Sequence, residues 1–261
     1  MNQTLNFRRF NLLLRKSIFE RPVGVIGTAL MGLGATFLIY FFFQSMGAFH
    51  PAQNISFLVG LVGGGCLLAS VVFGYFATES NGISYLTIPG SNLEKWLVGI
   101  LITGFYIALF LGYFRFIDHF FVGMYHSRLN IKDPRYHDQY ASVWEYSFTL
   151  NIEFWTFFLL CISIMLVGGI HFNKLAFIKT SLTILILLFS LFLINLGIAH
   201  LILSHVLRAT PFEGVEFANG SSEAYVALSA ETSEKLFWLL GVAFPITLLA
   251  ISFIKLKEKE I

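Results

Sequence analysis

Six long runs of apolar residues constrain the fold of this chain more than any other feature. A helix needs about 20 predominantly apolar residues to cross the roughly 30 Å hydrocarbon core of a bilayer. The runs cover residues 23–46, 55–77, 96–119, 151–170, 176–204 and 236–254. They predict an all-α, polytopic membrane protein with six transmembrane helices.

Composition argues against a soluble globular domain. Hydrophobic residues make up 56% of the chain and charged residues only 12%, whereas soluble proteins carry about 25% charged residues. A water-facing surface of normal polarity cannot be built from this chain, so the lipid bilayer is the predicted solvent. The net charge of +2 gives no indication of a nucleic-acid partner.

Residues 1–22 precede the first run and have a different pattern. On a helix with about 100° per residue, apolar and basic side chains fall on opposite sides. The apolar stripe contains Phe7, Phe10, Leu14 and Ile18, and the basic side contains Arg8, Arg9, Arg15 and Lys16. This pattern predicts an amphipathic helix that lies in the membrane interface and ends at Pro22. A basic flank that only fixes the topology is the alternative.

The predicted organisation is therefore an interfacial helix over 1–22, a six-span domain over 23–256 and a tail over 257–261. With the N-terminus inside, 11 of the 17 basic residues fall on the inner side and ten of the 15 acidic residues on the outer side. The positive-inside rule then predicts that both termini are cytoplasmic.

The inner loop between the second and third runs carries the most specific local pattern. Ser91 and Glu94 have the S-x-x-E spacing of a capping box, which predicts a helix start. Pro89 and Gly90 predict a turn just before that helix. Upstream, residues 83–88 form a short apolar segment that fits one or two helical turns at the membrane face. A short exposed element, a turn and a capped helix in this order would pass a displacement by a cytoplasmic partner to the membrane-spanning helices.

The residues at this turn resemble a known family. The stretch Leu86-Thr87-Ile88-Pro89-Gly90-Ser91-Asn92-Leu93-Glu94-Lys95-Trp96 is similar to the Leu-x-Leu-Pro-x-Ser-x-x-Glu pattern in permease subunits of type-2 ABC exporters, in the form found in Bacteroidota. Members of that family have an N-terminal amphipathic helix and six spans. Their loop between spans two and three holds a coupling helix that seats in a cytoplasmic ATPase subunit.

The resemblance implies a role and a set of partners for this chain. It would be a homodimeric permease in a bacterial plasma (inner) membrane, not itself an enzyme, with ATP and Mg²⁺ bound by the separate ATPase and no cofactor in this chain. No Walker motif occurs in the sequence, as this division of labour requires. The residues that carry over as contacts to the ATPase are Ile83, Tyr85, Leu86, Pro89, Ser91 and Glu94. The polar loop 209–233 departs from the family, whose members often have interfacial helices there.

Few polar groups lie deep in the apolar runs, which argues against an ion-driven carrier. Asn195 and His200 are the main exceptions. Asn195 is interpreted either as an interhelical hydrogen-bond partner or as a ligand on a transport pathway. At the outer end of the third run, Asp118, His119 and His126 would share a region with Arg115. An interfacial polar cluster, with Arg115 paired to Asp118, is favoured over a metal or haem site.

The outer loops, residues 120–150 and 205–235, are too long to be simple turns. They are predicted to form a lid, a docking surface or a solvated cap. The sequence thus favours an ABC permease, and the alternative is a structural or regulatory membrane subunit that does not transport and binds a partner through its outer loops.

Overall fold

A computed structural model describes residues 6–77, 90–147, 152–172, 174–202, 206–210, 214–219, 222–227 and 229–259. Eight long or α-helical elements and one short 3-10 helix, Gly74–Ala77, are present in these ranges. The eight are α1 (Phe7–Phe19), α2 (Val23–Ser45), α3 (Phe49–Val72), α4 (Asn92–Arg128), α5 (Tyr136–Ser142), α6 (Ile152–His171), α7 (Ala176–Ile202) and α8 (residues 230–258).

Six of these helices are long and apolar enough to cross a membrane: α2, α3, α4, α6, α7 and Glu234–Glu258 of α8. The predicted all-α fold with six spans and an N-terminal amphipathic helix is confirmed. The bounds of two spans differ most from the predicted ones. Helix α3 covers Phe49–Val72 in place of 55–77, and α4 covers Asn92–Arg128 in place of 96–119.

The bundle has an inner and an outer set of helices. In their most apolar windows, 61% of the residues of α3, 50% of α6 and 39% of α4 are buried, against 17%, 12% and 6% for α2, α8 and α7. Helix α3 packs on α2, α4 and α6, while α7 and α8 pack on α6. The outer three helices therefore present apolar faces to the surroundings of the bundle.

Three of the spanning helices contain a wide π turn, in which the hydrogen bonds join residues five apart. These turns lie at Val23–Gly27 in α2, Val59–Gly64 in α3 and Leu239–Ala243 in α8. Pro245 lies just after the last of them, in the first turn of the following α-helical segment.

Helices α2 and α3 approach closely at glycines. A Cβ built on Gly32 would lie 3.3 Å from the Cα of Gly64. The ring of Tyr106 from α4 fills the same point, and its hydroxyl donates to the carbonyl of Gly60 at 2.8 Å. The glycine run 60–65 therefore serves helix packing, as is usual for small residues in membrane helices.

Gly64→Ala is expected to lower the free energy of unfolding in detergent by about 1–3 kcal/mol, the typical cost of overpacking. The new methyl group would overlap the hydroxyl of Tyr106. Gly104→Ala is the matched control, since a Cβ there meets nothing within 4 Å and alanine favours the helix. Equal stability of the two variants, measured by denaturant titration, would contradict this packing.

The two ends of the bundle differ. The terminal face carries α1, the first turn of α4 and the end of α8, whose Ser252 bonds to Trp96. The loop face carries α5, the segment 143–147 and a three-stranded antiparallel sheet. The sheet contains β1 (Val206–Thr210), β2 (Gly214–Asn219) and β3 (Ser222–Ala227), with β2 in the middle. The sequence did not predict this sheet, because its strands are short and contain many small residues.

Candidate functional site

The carboxylate of Glu94 is the centre of a polar site on the terminal face. One oxygen, Oε1, accepts the backbone N–H of Asn6 at 2.7 Å and lies 3.3 Å from Nη2 of Arg9. The other, Oε2, accepts the backbone N–H of Ser91 at 2.9 Å, and the Ser91 hydroxyl accepts the N–H of Glu94. The predicted capping box is confirmed. The Glu94 side chain is fully buried because α1 covers it.

Apolar packing reinforces the same contact. Leu13 of α1 is buried against Gly90, where an added Cβ would lie 2.8 Å from Leu13 Cδ1. A larger residue at position 90 would require the Leu13 side chain to shift. The first half of α1 is held to the backbone that immediately follows the loop 78–89.

The second half of α1 and the residues after it are held to the backbone that precedes the same loop. Arg21 donates to the carbonyl of Gly74 at 2.5 Å, and its guanidinium carbon lies 4.6 Å from the centre of the Tyr75 ring. The Tyr75 hydroxyl donates to the carbonyl of Ser17 at 3.4 Å. Helix α1 thus contacts both ends of the loop 78–89. We call these contacts the α1 anchor; they are made by Asn6, Arg9, Leu13, Ser17, Arg21, Gly74, Tyr75, Gly90, Ser91 and Glu94.

The first turn of α4 also reaches α8. Trp96 donates its indole N–H to the buried hydroxyl of Ser252 at 2.7 Å, and its ring packs edge-on against Phe253 at 5.8 Å. Between Glu94 and Trp96, Lys95 is also buried. A displacement of the first turn of α4 would therefore move both α1 and α8.

A double-mutant cycle is expected to detect the link between α4 and α8. Trp96→Phe and Ser252→Ala each remove one partner of the same buried hydrogen bond. We expect their effects on the free energy of unfolding to be less than additive by about 1 kcal/mol. Strict additivity in the double variant would show that the two side chains are not coupled.

The residues predicted to contact an ATPase are only partly described. Ser91 and Glu94 belong to the α1 anchor, while Ile83, Tyr85, Leu86 and Pro89 lie outside the described residues. The α1 anchor itself was not predicted, because it joins residues 85 and 88 positions apart.

The two polar residues predicted inside the fifth span do not form a cluster. Asn195 lies on α7 with its Nδ2 atom buried, and that atom has no hydrogen-bond partner among the described residues. His200, one and a half turns further on, is exposed, and its Nδ1 lies 3.0 Å from the carbonyl of Leu196 in its own helix. The contacts of these two side chains indicate neither an interhelical hydrogen bond nor a ligand-binding role among the described residues.

A second polar cluster, on the loop face, is centred on Asp118. This residue is fully buried. Its Oδ1 accepts the Tyr40 hydroxyl at 2.7 Å and the Gln53 amide at 2.9 Å, and its Oδ2 accepts the backbone N–H of Tyr146 at 2.6 Å. The same Gln53 amide also donates to the carbonyl of Trp144. Asp118 therefore holds the segment 143–147 onto the ends of α2, α3 and α4.

The predicted pairing of Arg115 with Asp118 is wrong. Arg115 instead forms a salt bridge with Glu145 at 2.7 Å, and the other oxygen of Glu145 lies 2.7 Å from Nδ1 of His119. The hydrogen bond from His119, together with the charge of Arg115, holds the pKa of the Glu145 carboxyl below its usual value. Asp118 turns into the bundle, whereas Arg115 and His119 lie on its outside.

The histidines of this region have separate partners. His126 lies 2.9 Å from the carbonyl of Val143 through Nε2 and stacks on Tyr140, while His119 faces Glu145. In the described part of the chain, no three side chains of His, Cys, Asp or Glu are arranged to hold a metal ion. The cluster is thus a set of contacts that order the loop face.

Comparisons with protein families, with characterised proteins and with solved structures find no match to this chain. The fold and the two polar clusters define its class. It is a multi-pass α-helical membrane protein with an amphipathic helix fastened to both ends of one loop.

Proposed function

We propose that this chain is the permease subunit of an ATP-driven ABC exporter, coupled to a separate ATPase subunit through the loop 78–89. The α1 anchor carries the proposal. A loop that transmits force must be joined firmly to the helices it moves, and both ends of this loop are fastened to α1. Its downstream end is also joined to α8 through Trp96.

In this proposal the ATPase binds the segment that contains Ile83, Tyr85, Leu86 and Pro89. ATP and Mg²⁺ bind in the ATPase, and this chain performs no hydrolysis. When the ATPase subunits close, they displace the loop, and the buried contacts of Glu94 pass the displacement to α1 and α4. The terminal face is then cytoplasmic, in agreement with the excess of basic residues on that side, and the membrane is the bacterial plasma membrane.

A second copy of the chain would complete the pathway. Helix α7 supports this part of the proposal, because only 6% of its apolar window is buried. An apolar face of this kind suits either lipid or a partner helix. Asn195 and His200 on α7 would then lie near the pathway between the two copies.

The first test is purification of the tagged protein from native membranes in mild detergent, with mass spectrometry of the proteins that remain bound. Recovery of a soluble subunit with Walker motifs supports the proposal. Its repeated absence from a well-folded preparation contradicts it.

The second test examines the loop. Ile83→Asp with Leu86→Asp is expected to abolish retention of the ATPase subunit, because it places two charges in the proposed apolar contact. Ile131→Asp with Val226→Asp is the matched control, since both residues are exposed on the loop face. Retention of the ATPase by the first variant at the level of the control would overturn the assignment of the loop.

One observation favours the alternative of a regulatory or structural subunit. The sheet on the loop face leaves β1 and β3 as its edge strands in the described part of the chain. An edge strand is a surface to which a partner protein can add a strand. Under this alternative the purification would recover a partner without Walker motifs, and Val226→Asp on β3 would weaken its binding.

A further inference from the structure

An apolar slot lies directly beneath α1. Its volume is about 350 Å³, and its walls come from α1, α2, α3 and α4. Leu14 and Ile18 of α1 form its upper end. The one polar side chain that reaches it belongs to Tyr106, whose hydroxyl already donates to Gly60. A polar ligand would therefore find no free hydrogen-bonding group in the slot.

The slot is tall and open on one side. On α2 its lining runs from Val25 to Leu33, and on α4 from Leu101 to Leu109. Eight residues of helix rise correspond to about 12 Å along each wall. Leu30 and Phe105, at 61% and 67% exposure, lie on its open side. A narrow apolar groove that opens toward the lipid and descends from the interface has the shape of a site for an acyl chain.

The charges on α1 indicate which lipid would fill the slot. Helix α1 contains four basic residues and no acidic residue. Arg9 pairs with Glu94 and Lys16 with Glu20. No acidic side chain among the described residues forms a salt bridge with Arg8 or Arg15, and both arginines are exposed.

The position of these two arginines matches the slot. Arg8 and Arg15 are seven residues apart and lie within about 20° of each other on the helix. Both lie about 60–80° around the helix from Ile18, which closes the upper end of the slot; Arg15 is within one turn of Ile18, and Arg8 lies about 15 Å from Ile18 along the axis. A phosphate above an acyl chain in the slot would meet this pair, and guanidinium groups bind phosphate with two parallel hydrogen bonds.

We propose that the slot and the Arg8–Arg15 pair together form a binding site for one anionic phospholipid, with an acyl chain between α2 and α4 and the phosphate held by the two arginines. The site does not depend on the proposed transport function. It also gives the amphipathic helix a role beyond lying in the interface, because a bound lipid would join α1 to α2 and α4.

The test is native mass spectrometry of the delipidated full-length protein, titrated with phosphatidylglycerol or with phosphatidylcholine. We expect one phosphatidylglycerol to bind more tightly than phosphatidylcholine. Arg8→Gln with Arg15→Gln is expected to weaken phosphatidylglycerol binding about 30-fold, the combined contribution of two basic residues at an anionic lipid surface. Arg128→Gln with Arg135→Gln makes the same charge change on the loop face and should leave binding unchanged.

A second variant tests the slot itself. Ala29→Trp fills it with an indole ring and is expected to abolish tight binding of phosphatidylglycerol, while helical content and size-exclusion profile stay those of the unmodified protein. Equal binding of the two lipids by the unmodified protein would overturn the proposal. So would unchanged phosphatidylglycerol binding in either variant, or a crosslink between two copies through Phe105→Cys, which would assign the slot to an interface between chains.

Discussion

Glu94→Ala is expected to release α1 from the bundle and to lower the free energy of unfolding by about 2–4 kcal/mol. The substitution leaves the backbone N–H groups of Asn6 and Ser91 without their acceptor and removes the partner of Arg9. Since Arg9 is 33% exposed, most of the loss comes from the two partly buried N–H groups and not from the ion pair.

Hydrogen exchange measures this release directly. Amides of residues 7–19 should exchange faster in Glu94→Ala than in the unmodified protein, while amides in the middle of α6 should not change. Glu94→Gln should lie between the two, because glutamine also serves as the third residue of a capping box. Glu20→Ala is the control, since its pair with Lys16 is solvent-exposed. Unchanged protection of α1 in Glu94→Ala would show that the α1 anchor does not hold the helix.

If the chain is the proposed permease, the same variant has a functional result. Insertion and binding of the ATPase should persist, because Glu94 is buried and does not form the outer surface of the loop. Transport per ATP hydrolysed should fall, because displacement of the loop is no longer passed to α1. A parallel decrease in transport and in ATP hydrolysis would instead indicate simple loss of folded protein.

Asp118→Ala is expected to have the largest effect on stability, about 3–5 kcal/mol. It removes the common acceptor of Tyr40, Gln53 and the backbone of Tyr146, all at a fully buried position. The segment 143–147 should lose its attachment to the bundle, and the amide of Tyr146 should change from slow to fast hydrogen exchange.

Two further variants make this result specific. Asp118→Asn keeps one acceptor oxygen but turns an NH₂ group toward one of the three donors, so its effect should be intermediate. Glu145→Gln changes a partly exposed acid on the same segment that pairs with Arg115 and His119 at the surface, and its effect should be within about 1 kcal/mol. Equal stability of Asp118→Ala and Glu145→Gln would contradict the central role of Asp118.

The sequence predicted those features that are encoded locally. The six spans follow from runs of apolar residues, α1 from the alternation of apolar and basic residues, and the helix start at Asn92 from the pair Ser91 and Glu94. Each pattern is complete within a few turns of helix, so that no knowledge of the neighbouring elements is needed.

The features that were missed depend on contacts between distant residues. Arg115 and Asp118 have a spacing that favours an ion pair, but Asp118 instead accepts hydrogen bonds from α2, α3 and the segment 143–147. The two groups that donate to Oε1 of Glu94 could not be anticipated either, since Asn6 and Arg9 belong to another element. The sheet between α7 and α8 escaped detection because its strands have five or six residues.

The π turns of α2, α3 and α8 have a consequence for how this chain tolerates changes in length. A π turn contains one residue more than the α turn that it replaces, so everything beyond it is rotated by about 100° relative to an uninterrupted helix. Removal of one residue from Val59–Gly64 would convert the π turn into an α turn and leave Leu68 and Val72 facing their present neighbours, whereas tightening the turn without a deletion would rotate both residues by about 100°. The lengths of these three turns, as well as the side chains around them, therefore specify which faces of the spans meet.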